Sequence, residues 1–462
     1  MKYKVNIILI LFLINNYSFS QTKMIYKENA IQDIDSLHKY IEEIHPNAYA
    51  YVSKDEIDNI YTNIKKQIND SLSIYQFYNL LTYIAASYKD GHTSVIIPRV
   101  WYEENHKIIP FTIDIKDDKL FVNKSYLPVK IPQDIEIIEI NDISAKNIID
   151  TMINTQSGEA INFRIEKVKY FFPFLLYSIH NFDNNYKIKY RINNEIKILK
   201  IKGISYKQYS TLREDNNKNN YNYSARFLLN KSVCVIDFRS FTNLSEFKVF
   251  LDSTFFKIKK QNIKNLIIDL RNNTGGNSVL GDELFQYIYN APFSQYDKTI
   301  LKVSKQLKLL WKYNYLPNGV YDSLTVAKLL TLKNGVIVRT DTIFEENEGN
   351  NLIPIRKEPN RFTGNTYLLI SHFTFSSAAD FAWCFKHYNM GKIIGEETGG
   401  WGLCYGDNVY TELPNSNIAI NVSCKLFYNI GANKESTHGV YPDYPVKSDD
   451  ALEYALKLID KK

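Results

Sequence analysis

Two serines lie where a buried strand is predicted to give way to a helix. The segment Tyr367–Asp380 reads YLLISHFTFSSAAD, in which residues 366–371 predict a short buried strand, followed by a turn and then by a helix beginning at Ser377. A serine at such a corner exposes its Oγ, and the N–H of the next residue, Ala378, points outward toward a developing oxyanion. Ser377 is therefore the candidate nucleophile, although Ser376 and Ser377 also suit a helix cap.

A second strand-to-helix junction carries paired glycines. Residues 265–270 (NLIIDL) form an almost continuous apolar run, which is typical of a strand buried on both faces, and a helical pattern covers residues 278–289. Gly275 and Gly276 lie between them, and glycines at this position let the backbone approach a ligand and expose its N–H groups. The alternative is a tight turn that binds nothing.

Together these segments resemble the C-terminal processing, or tail-specific, family of serine peptidases. The family's D-[LI]-R-x-N-x-G-G loop is present as residues 269–276 (DLRNNTGG), and its S-A-[SA]-[ED] nucleophile motif as residues 377–380 (SAAD). A third feature of the family, G-V-x-P-D, is present as residues 439–443 (GVYPD). The resemblance covers roughly residues 225–450 and implies hydrolysis of peptide bonds on a crotonase-type α/β core.

Three helical patterns precede a short polar segment that contains a histidine. They cover residues 26–90, and a capping box at Ser53 begins the second of them. The third ends at residues 90–94 (DGHTS), where Gly91 suits a helix C-cap. His92 thus lies at an element boundary, where functional residues are common, although a lone histidine is more often structural.

A helical domain followed by D-G-H-T is similar to the tricorn-core and retinoid-binding-protein branch of the family, in which a histidine of this segment is the general base. The resemblance implies that role for His92. It also implies an acid nearly sixty residues after the nucleophile and ahead of G-V-x-P-D, a position that Glu435 occupies. The serine that this branch carries beside its histidine is absent, because Gly91 precedes His92, and Thr93 or Ser94 are the substitutes.

Another branch of the family uses a serine–lysine dyad, but Trp401 stands at the position of the lysine. The resemblance and the chemistry of acyl transfer assign the oxyanion hole to the N–H of Ala378 with that of Gly275 or Gly276. The alternatives that stay open are Ser376 as nucleophile, Glu397 as acid, and His372 or His438 as base.

The middle of the chain predicts many short strands. Residues 135–144 (IEIIEINDIS) resemble a strand and turn of PDZ domains, and a helix from about Ala145 to Ile153 would then line a peptide groove. Residues 157–181 look like an insertion, and residues 206–222 like a polar linker.

The sequence therefore predicts a multidomain α/β protein. The predicted parts are a signal peptide (1–20), a helical N-terminal domain (22–98), a PDZ-like β-rich domain (105–205), a linker (206–222) and a crotonase-like α/β peptidase core with a mainly parallel sheet (223–462).

The first twenty residues combine a basic start, a short apolar run and small residues, which indicates export to a periplasmic or extracellular location. The apolar run is too short to span a membrane, and no other stretch suits a span. The formal net charge of +6 includes Lys2 and Lys4, and without a basic block it argues against nucleic acid as a partner.

Four well-spaced cysteines favour buried free thiols, and no spacing suits a zinc site, so we expect neither a metal nor another cofactor. The function predicted is that of an exported serine endopeptidase acting on peptides or proteins through an acyl-enzyme. The alternative is a protein of the same fold that binds a peptide or an apolar ligand without cleaving it.

Overall fold

The computed structural model describes residues 24–97, 106–126, 131–180, 182, 184–216, 221–312, 327–328, 330–339 and 352–461. The predicted signal peptide lies outside these residues. The helices are α1 (Lys27–Ile44), α2 (Lys54–Gln67), α3 (Ile74–Ser87), α4 (Ala145–Asn154), α5 (Ile161–His180), α6 (Tyr206–Asn216), α7 (Leu244–Lys260), α8 (Val279–Ile288), α9 (Lys305–Lys312), α10 (Ser377–His387) and α11 (Ala451–Asp460). None of these helices is both long and apolar enough for a membrane crossing.

The strands in the described residues are short. They are β1 (Met24–Tyr26), β2 (Ser71–Ser73), β3 (Ser94–Val95), β4 (Lys107–Ile108), β5 (Phe111–Lys116), β6 (Lys119–Ser125), β7 (Glu136–Ile140), β8 (Ile143–Ser144), β9 (Asn185–Ile192), β10 (Glu195–Lys202), β11 (Ile204–Ser205), β12 (Tyr223–Leu228), β13 (Val233–Phe238), β14 (Asn265–Asp269), β15 (Tyr296–Lys302), β16 (Ile337–Arg339), β17 (Asn365–Ile370), β18 (Lys392–Gly395), β19 (Leu403–Glu412), β20 (Ala419–Asn429) and β21 (Tyr444–Pro445).

A six-stranded sheet in the order β12-β13-β14-β17-β18-β21 lies at the centre of the C-terminal half. Only β12 is antiparallel to its neighbour, and the other four pairings are parallel. Every residue of β14 is buried, as its continuous apolar run predicted. Because parallel strands end at the same edge, the segments that follow β14 and β17 meet there, and these are the two segments in which the candidate residues lie.

A second sheet joins the N-terminal helices to the core. It has the order β16-β15-β20-β19, and β3 also pairs with β20, through Val95 opposite Ile420 and Ser94 opposite Asn421. Side chains of α1, α2 and α3 share one hydrophobic cluster with those of β19 and β20. The helical segment therefore does not form a core of its own.

The middle of the chain forms a sheet in the order β10-β9-β7-β6-β5. Helix α4 covers the residues predicted to line a groove, and its cap is Ser144, whose Oγ accepts the N–H of Asn147 at 3.2 Å. The segment interpreted as an insertion forms α5, which packs against α3, α4 and β5. Residues 206–216 of the predicted linker form α6. The PDZ-like character of this sheet and the domain boundaries stay predictions.

Asp33 of α1 joins the helical segment to the turn between β19 and β20. Its carboxylate is fully buried and accepts the backbone N–H of Asn415 at 2.9 Å and that of Ser416 at 2.8 Å. These two bonds tie the turn to α1 through a buried carboxylate.

We expect Asp33→Ala to lower the free energy of unfolding by about 1–3 kcal/mol, because the acceptor of both turn N–H groups is removed. The matched control is Asp35→Ala on the same helix. Asp35 is 56% exposed and pairs with Lys65, so its loss should cost less than about 1 kcal/mol. Urea denaturation of both variants tests this difference, and equal losses would contradict the role of Asp33.

Candidate active site

The side chains of Ser376 and His92 contact each other at the edge where the central strands end. Among the described residues, no other serine and histidine at this edge form such a pair. The Nε2 of His92 lies 3.0 Å from the Oγ of Ser376, although 284 residues separate them in the chain. Ser376 lies between β17 and α10, and His92 lies between α3 and β3. The pairing of β3 with β20 therefore places His92 next to the segment that contains Ser376.

The predicted pairing of His92 with Ser377 is wrong. Ser377 is the first residue of α10 and is only 5% exposed, and its Oγ donates to the carbonyl oxygen of Gly276 at 2.7 Å. The corner between strand and helix lies one residue earlier than we expected from the pattern. Two adjacent serines at a boundary cannot be separated by periodicity, because sequence-based helix ends are uncertain by a residue or two.

The backbone of Ser376 adopts a conformation that residues with a side chain rarely use. Its φ is 52° and its ψ is −136°. Such a conformation costs on the order of 1–3 kcal/mol and persists where the surrounding structure imposes it, often at active sites. A sharp strand-to-helix corner of this kind exposes the side chain oxygen of the residue that occupies it.

Two of the three predicted oxyanion donors are already engaged. The N–H of Gly275 donates to Asn273 Oδ1 at 2.8 Å, and the N–H of Ala378 donates to the carbonyl of Phe375 at 3.1 Å. In the described part of the chain, the N–H groups of Gly276 and Ser377 make no hydrogen bond. With Ser376 at the corner, Ser377 is the residue after it, so its N–H takes the place predicted for Ala378.

The glycine loop approaches the corner very closely. A Cβ on Gly275 would lie 2.7 Å from the Cβ of Ser376 and 2.8 Å from the backbone nitrogen of Ser377, and the φ of Gly275 is +96°. Only glycine fits this position without displacing the corner.

Burial lowers the pKa of His92 below its ordinary value of 6.5. The charges of Asp90 and Asp407 oppose this effect, and the charge of Lys167 adds to it. The ring packs against Phe375 with 4.8 Å between the ring centroids. Its Nδ1 is buried and makes no hydrogen bond within the described residues. A neutral imidazole of this kind is suited to accept a proton at Nε2.

The side chain of Glu435 makes no hydrogen bond or ion pair with His92 or Ser376 among the described residues. Glu435 is exposed in the loop after β20, and its backbone N–H donates to Asn433 Oδ1 at 2.8 Å. The assignment of Glu435 as the acid of the site stays a prediction from the family resemblance, and no contact in the structure supports it.

The rival residues have structural partners instead. Glu397 Oε1 accepts the N–H of Gly439 at 2.9 Å, and the carbonyl of Glu397 lies 2.9 Å from Nδ1 of His372. Nδ1 of His438 lies 2.7 Å from the carbonyl of Gly439. Thr93 donates its hydroxyl to Asp90 rather than to His92. No group of three or more His, Cys, Asp or Glu side chains in the described residues is arranged to hold a metal ion.

Comparison with known proteins bears on the same region. Residues 232–446 match the sequence model of peptidase family S41. In this region the chain is related to peptidase family S41. It is therefore a serine peptidase related to the tail-specific proteases, as the sequence motifs indicated.

Its described cysteines are all buried and free, in agreement with the expectation from their spacing.

Solved structures share the fold of this chain. Mature CPAF is 14% identical with a TM-score of 0.61, and the match covers 94% of this chain and 96% of that chain. Mature CPAF complexed with lactacystin gives 14% identity and a TM-score of 0.60, covering 94% and 97% of the two chains. At this identity the likeness concerns the fold and not the chemistry.

The candidate site also contains three residues that sequence reasoning missed, all in the segment interpreted as an insertion. Phe163 stacks on Phe375 with 4.1 Å between ring centroids. Burial raises the pKa of Glu159 to about 8, and burial lowers the pKa of Lys167 to about 8. A Cβ on Gly91 would lie 3.0 Å from Glu159 Oε2, so this carboxyl lies against the turn that holds the histidine. No motif marks these residues, and only tertiary packing brings them to the site.

We expect Gly275→Ala to lower kcat/KM at least a hundredfold, because the added Cβ must displace Ser376 or the amide of Ser377. Losses of this size follow the removal of one oxyanion donor. Gly335→Ala is the matched control, since Gly335 also has a positive φ (+85°) but has nothing within 4 Å of an added Cβ. We expect Gly335→Ala to have a similar backbone cost and to keep wild-type activity. Steady-state kinetics on a peptide substrate test both variants, and equal activity would contradict the close-approach argument.

Proposed function

We propose that this S41 peptidase cleaves peptide bonds through an acyl-enzyme formed on Ser376, with His92 as the general base. The observation that carries the proposal is the 3.0 Å contact between Nε2 of His92 and Oγ of a serine held at a strained corner. A serine hydroxyl becomes an effective nucleophile when an adjacent base removes its proton.

In the first step, His92 Nε2 takes the proton of Ser376 as Oγ attacks the peptide carbonyl carbon. The carbonyl oxygen becomes an oxyanion, and the N–H groups of Gly276 and Ser377 are the donors available to it. His92 then gives its proton to the leaving amine, and the C–N bond breaks. In the second half of the reaction, His92 takes a proton from water as the water oxygen attacks the acyl carbon. His92 then returns this proton to Oγ of Ser376 as the ester bond breaks, which releases the acid product.

Ser377 has a positioning role in this scheme. Its hydroxyl, donated to the carbonyl of Gly276 at 2.7 Å, ties the glycine loop to the first turn of α10. This bond holds the two amide donors on facing elements at a fixed separation, so oxyanion stabilisation depends on it while nucleophilic attack does not.

We further propose that the protein is exported and that its substrates are peptides or proteins. The N-terminal residues support export, and the family supports the substrate class. Peptide binding by the middle sheet, in the manner of a PDZ domain, belongs to the same proposal and rests on the strand and helix pattern of residues 135–154.

We expect a fluorophosphonate probe to label the wild-type protein and Ser376→Ala to abolish that labelling. Ser377→Ala should still be labelled, although more slowly, because it keeps the nucleophile and loses only the bond to Gly276. Intact mass spectrometry of the three proteins reads out the result. Labelling lost in Ser377→Ala but kept in Ser376→Ala would restore the original assignment, and no labelling of the wild type would favour the binding protein.

The pH dependence of kcat/KM should report His92. A general base works only when it is unprotonated, so activity rises with pH through the pKa of the histidine in the free enzyme. Because burial lowers that pKa, the rise should be centred below 6.5. His92→Ala should lower kcat by roughly 10³-fold or more. A rise centred above pH 7, or a nearly active His92→Ala, would remove His92 from the mechanism.

A further inference from the structure

We propose that Asp90 is the acidic positioning residue of the Ser376–His92 pair. The carboxylate fixes the turn that carries the base and stabilises the imidazolium that forms when His92 takes the serine proton. This inference rests on the proposed function and assigns to Asp90 the role that the family resemblance implied for Glu435.

The first support is direct contact with the histidine's own backbone. Asp90 is 1% exposed, and its Oδ1 accepts the N–H of His92 at 3.0 Å. A side chain that accepts the N–H two residues later closes a compact turn of the Asx type. The orientation of His92 therefore depends on a carboxylate that belongs to the same turn.

The second support is that other elements hold this carboxylate in place. Its Oδ2 accepts the hydroxyl of Thr93 at 2.5 Å and the hydroxyl of Ser423 at 2.6 Å, and Nε2 of His45 lies 3.2 Å away. These partners come from the turn itself, from β20 and from the end of α1. Burial would raise the pKa of Asp90, but the neighbouring imidazoles of His45 and His92 and the hydroxyl of Ser423 outweigh it, and the pKa lies well below its usual range.

The third support is the charge distribution around the histidine. His92 has no hydrogen-bond partner at Nδ1 among the described residues, so its positive form depends on nearby charges. Asp407 of β19 faces it, but Asp407 is 37% exposed and Lys425 pairs with it at 2.5 Å. Lys167 of α5 acts against the imidazolium.

Glu159 lies against the same turn, but its charge does not persist where His92 titrates. Burial raises the pKa of Glu159 to about 8, so this carboxyl is neutral through the pH range below 6.5. Asp90 is then the buried carboxylate near His92 that stays ionised in that range. A negative charge beside a histidine favours its protonated form and raises its pKa, which is the direction in which Asp90 acts on His92.

The test is the pH profile of kcat/KM for Asp90→Asn, measured on the full-length protein with a peptide substrate. Asparagine keeps the size and one acceptor oxygen but removes the charge. We expect the midpoint of the acidic limb of this profile to move to a pH about one unit lower, because the negative charge that favours the imidazolium is lost. We expect kcat/KM on the plateau of the profile to fall about tenfold, since one pKa unit corresponds to a factor of ten. An unchanged limb would overturn the inference.

Two control variants separate charge from structure. Asp407→Asn removes the other carboxylate that faces the ring and should move the limb by less than half as much, because solvent and Lys425 already screen it. Ser423→Ala loosens the clamp but keeps the carboxylate, so it should lower thermal stability without moving the limb downward. A limb that moves equally in Asp407→Asn and Asp90→Asn would assign the charge effect to the whole cleft and overturn the inference.

If Asp90→Asn does not fold, a second variant tests the inference. The double variant Thr93→Val/Ser423→Ala strips both hydroxyl donors from the ionised carboxylate, which leaves its charge less compensated. We then expect the limb to move to higher pH, and no movement or a downward shift would overturn the inference. Failure of the proposed function itself is recognised separately, because the wild type would then show no activity that depends on Ser376.

Discussion

The site depends on the docking of the N-terminal helices onto the β19–β20 hairpin. The contact between His92 and Ser376 joins residues 284 positions apart, and neither the turn after α3 nor the corner after β17 could form the pair alone. The two-residue pairing of β3 with β20 fixes the position of the histidine, and a shared hydrophobic cluster fixes the helices behind it. Because a small shift of this interface breaks a 3.0 Å contact, the proposed catalysis depends directly on this packing.

The part of the candidate site that contains Ser376 is held in place by other contacts than those that position His92. Ser376 is held in an unfavourable backbone conformation between a parallel strand and a helix, and the glycine loop after β14 lies so close to it that Gly275 has no room for a Cβ. The bond from Ser377 to Gly276 closes this arrangement. The strain is maintained because buried strands on both sides leave the corner no room to relax.

Much of the fold follows from local patterns. The apolar runs at β14 and β17 and the capping box at Ser53 specify elements through burial and backbone chemistry, and the structure contains them as expected. The motifs also located the correct loops. They failed at single-residue resolution where two serines adjoin, because which hydroxyl faces the base depends on the helix boundary and on packing across the sheet edge.

The remaining differences arise from tertiary contacts that leave no periodic signal. Glu435 has the expected spacing but lies on an exposed loop, whereas Asp90, which no motif assigned a role, is buried between three elements. The apparent insertion contributes Phe163 and Lys167 to the surroundings of the histidine. Which residues surround His92 depends on which surfaces pack together, and a single sequence does not show this packing.

The most direct measurement is a crystal structure of the protein after reaction with a fluorophosphonate. The account predicts phosphorus bonded to Oγ of Ser376, Nε2 of His92 within hydrogen-bond distance, and a phosphoryl oxygen about 2.7–3.1 Å from the N–H groups of Gly276 and Ser377. An adduct on Ser377, or an adduct on Ser376 with its oxygen directed away from both amides, would contradict it.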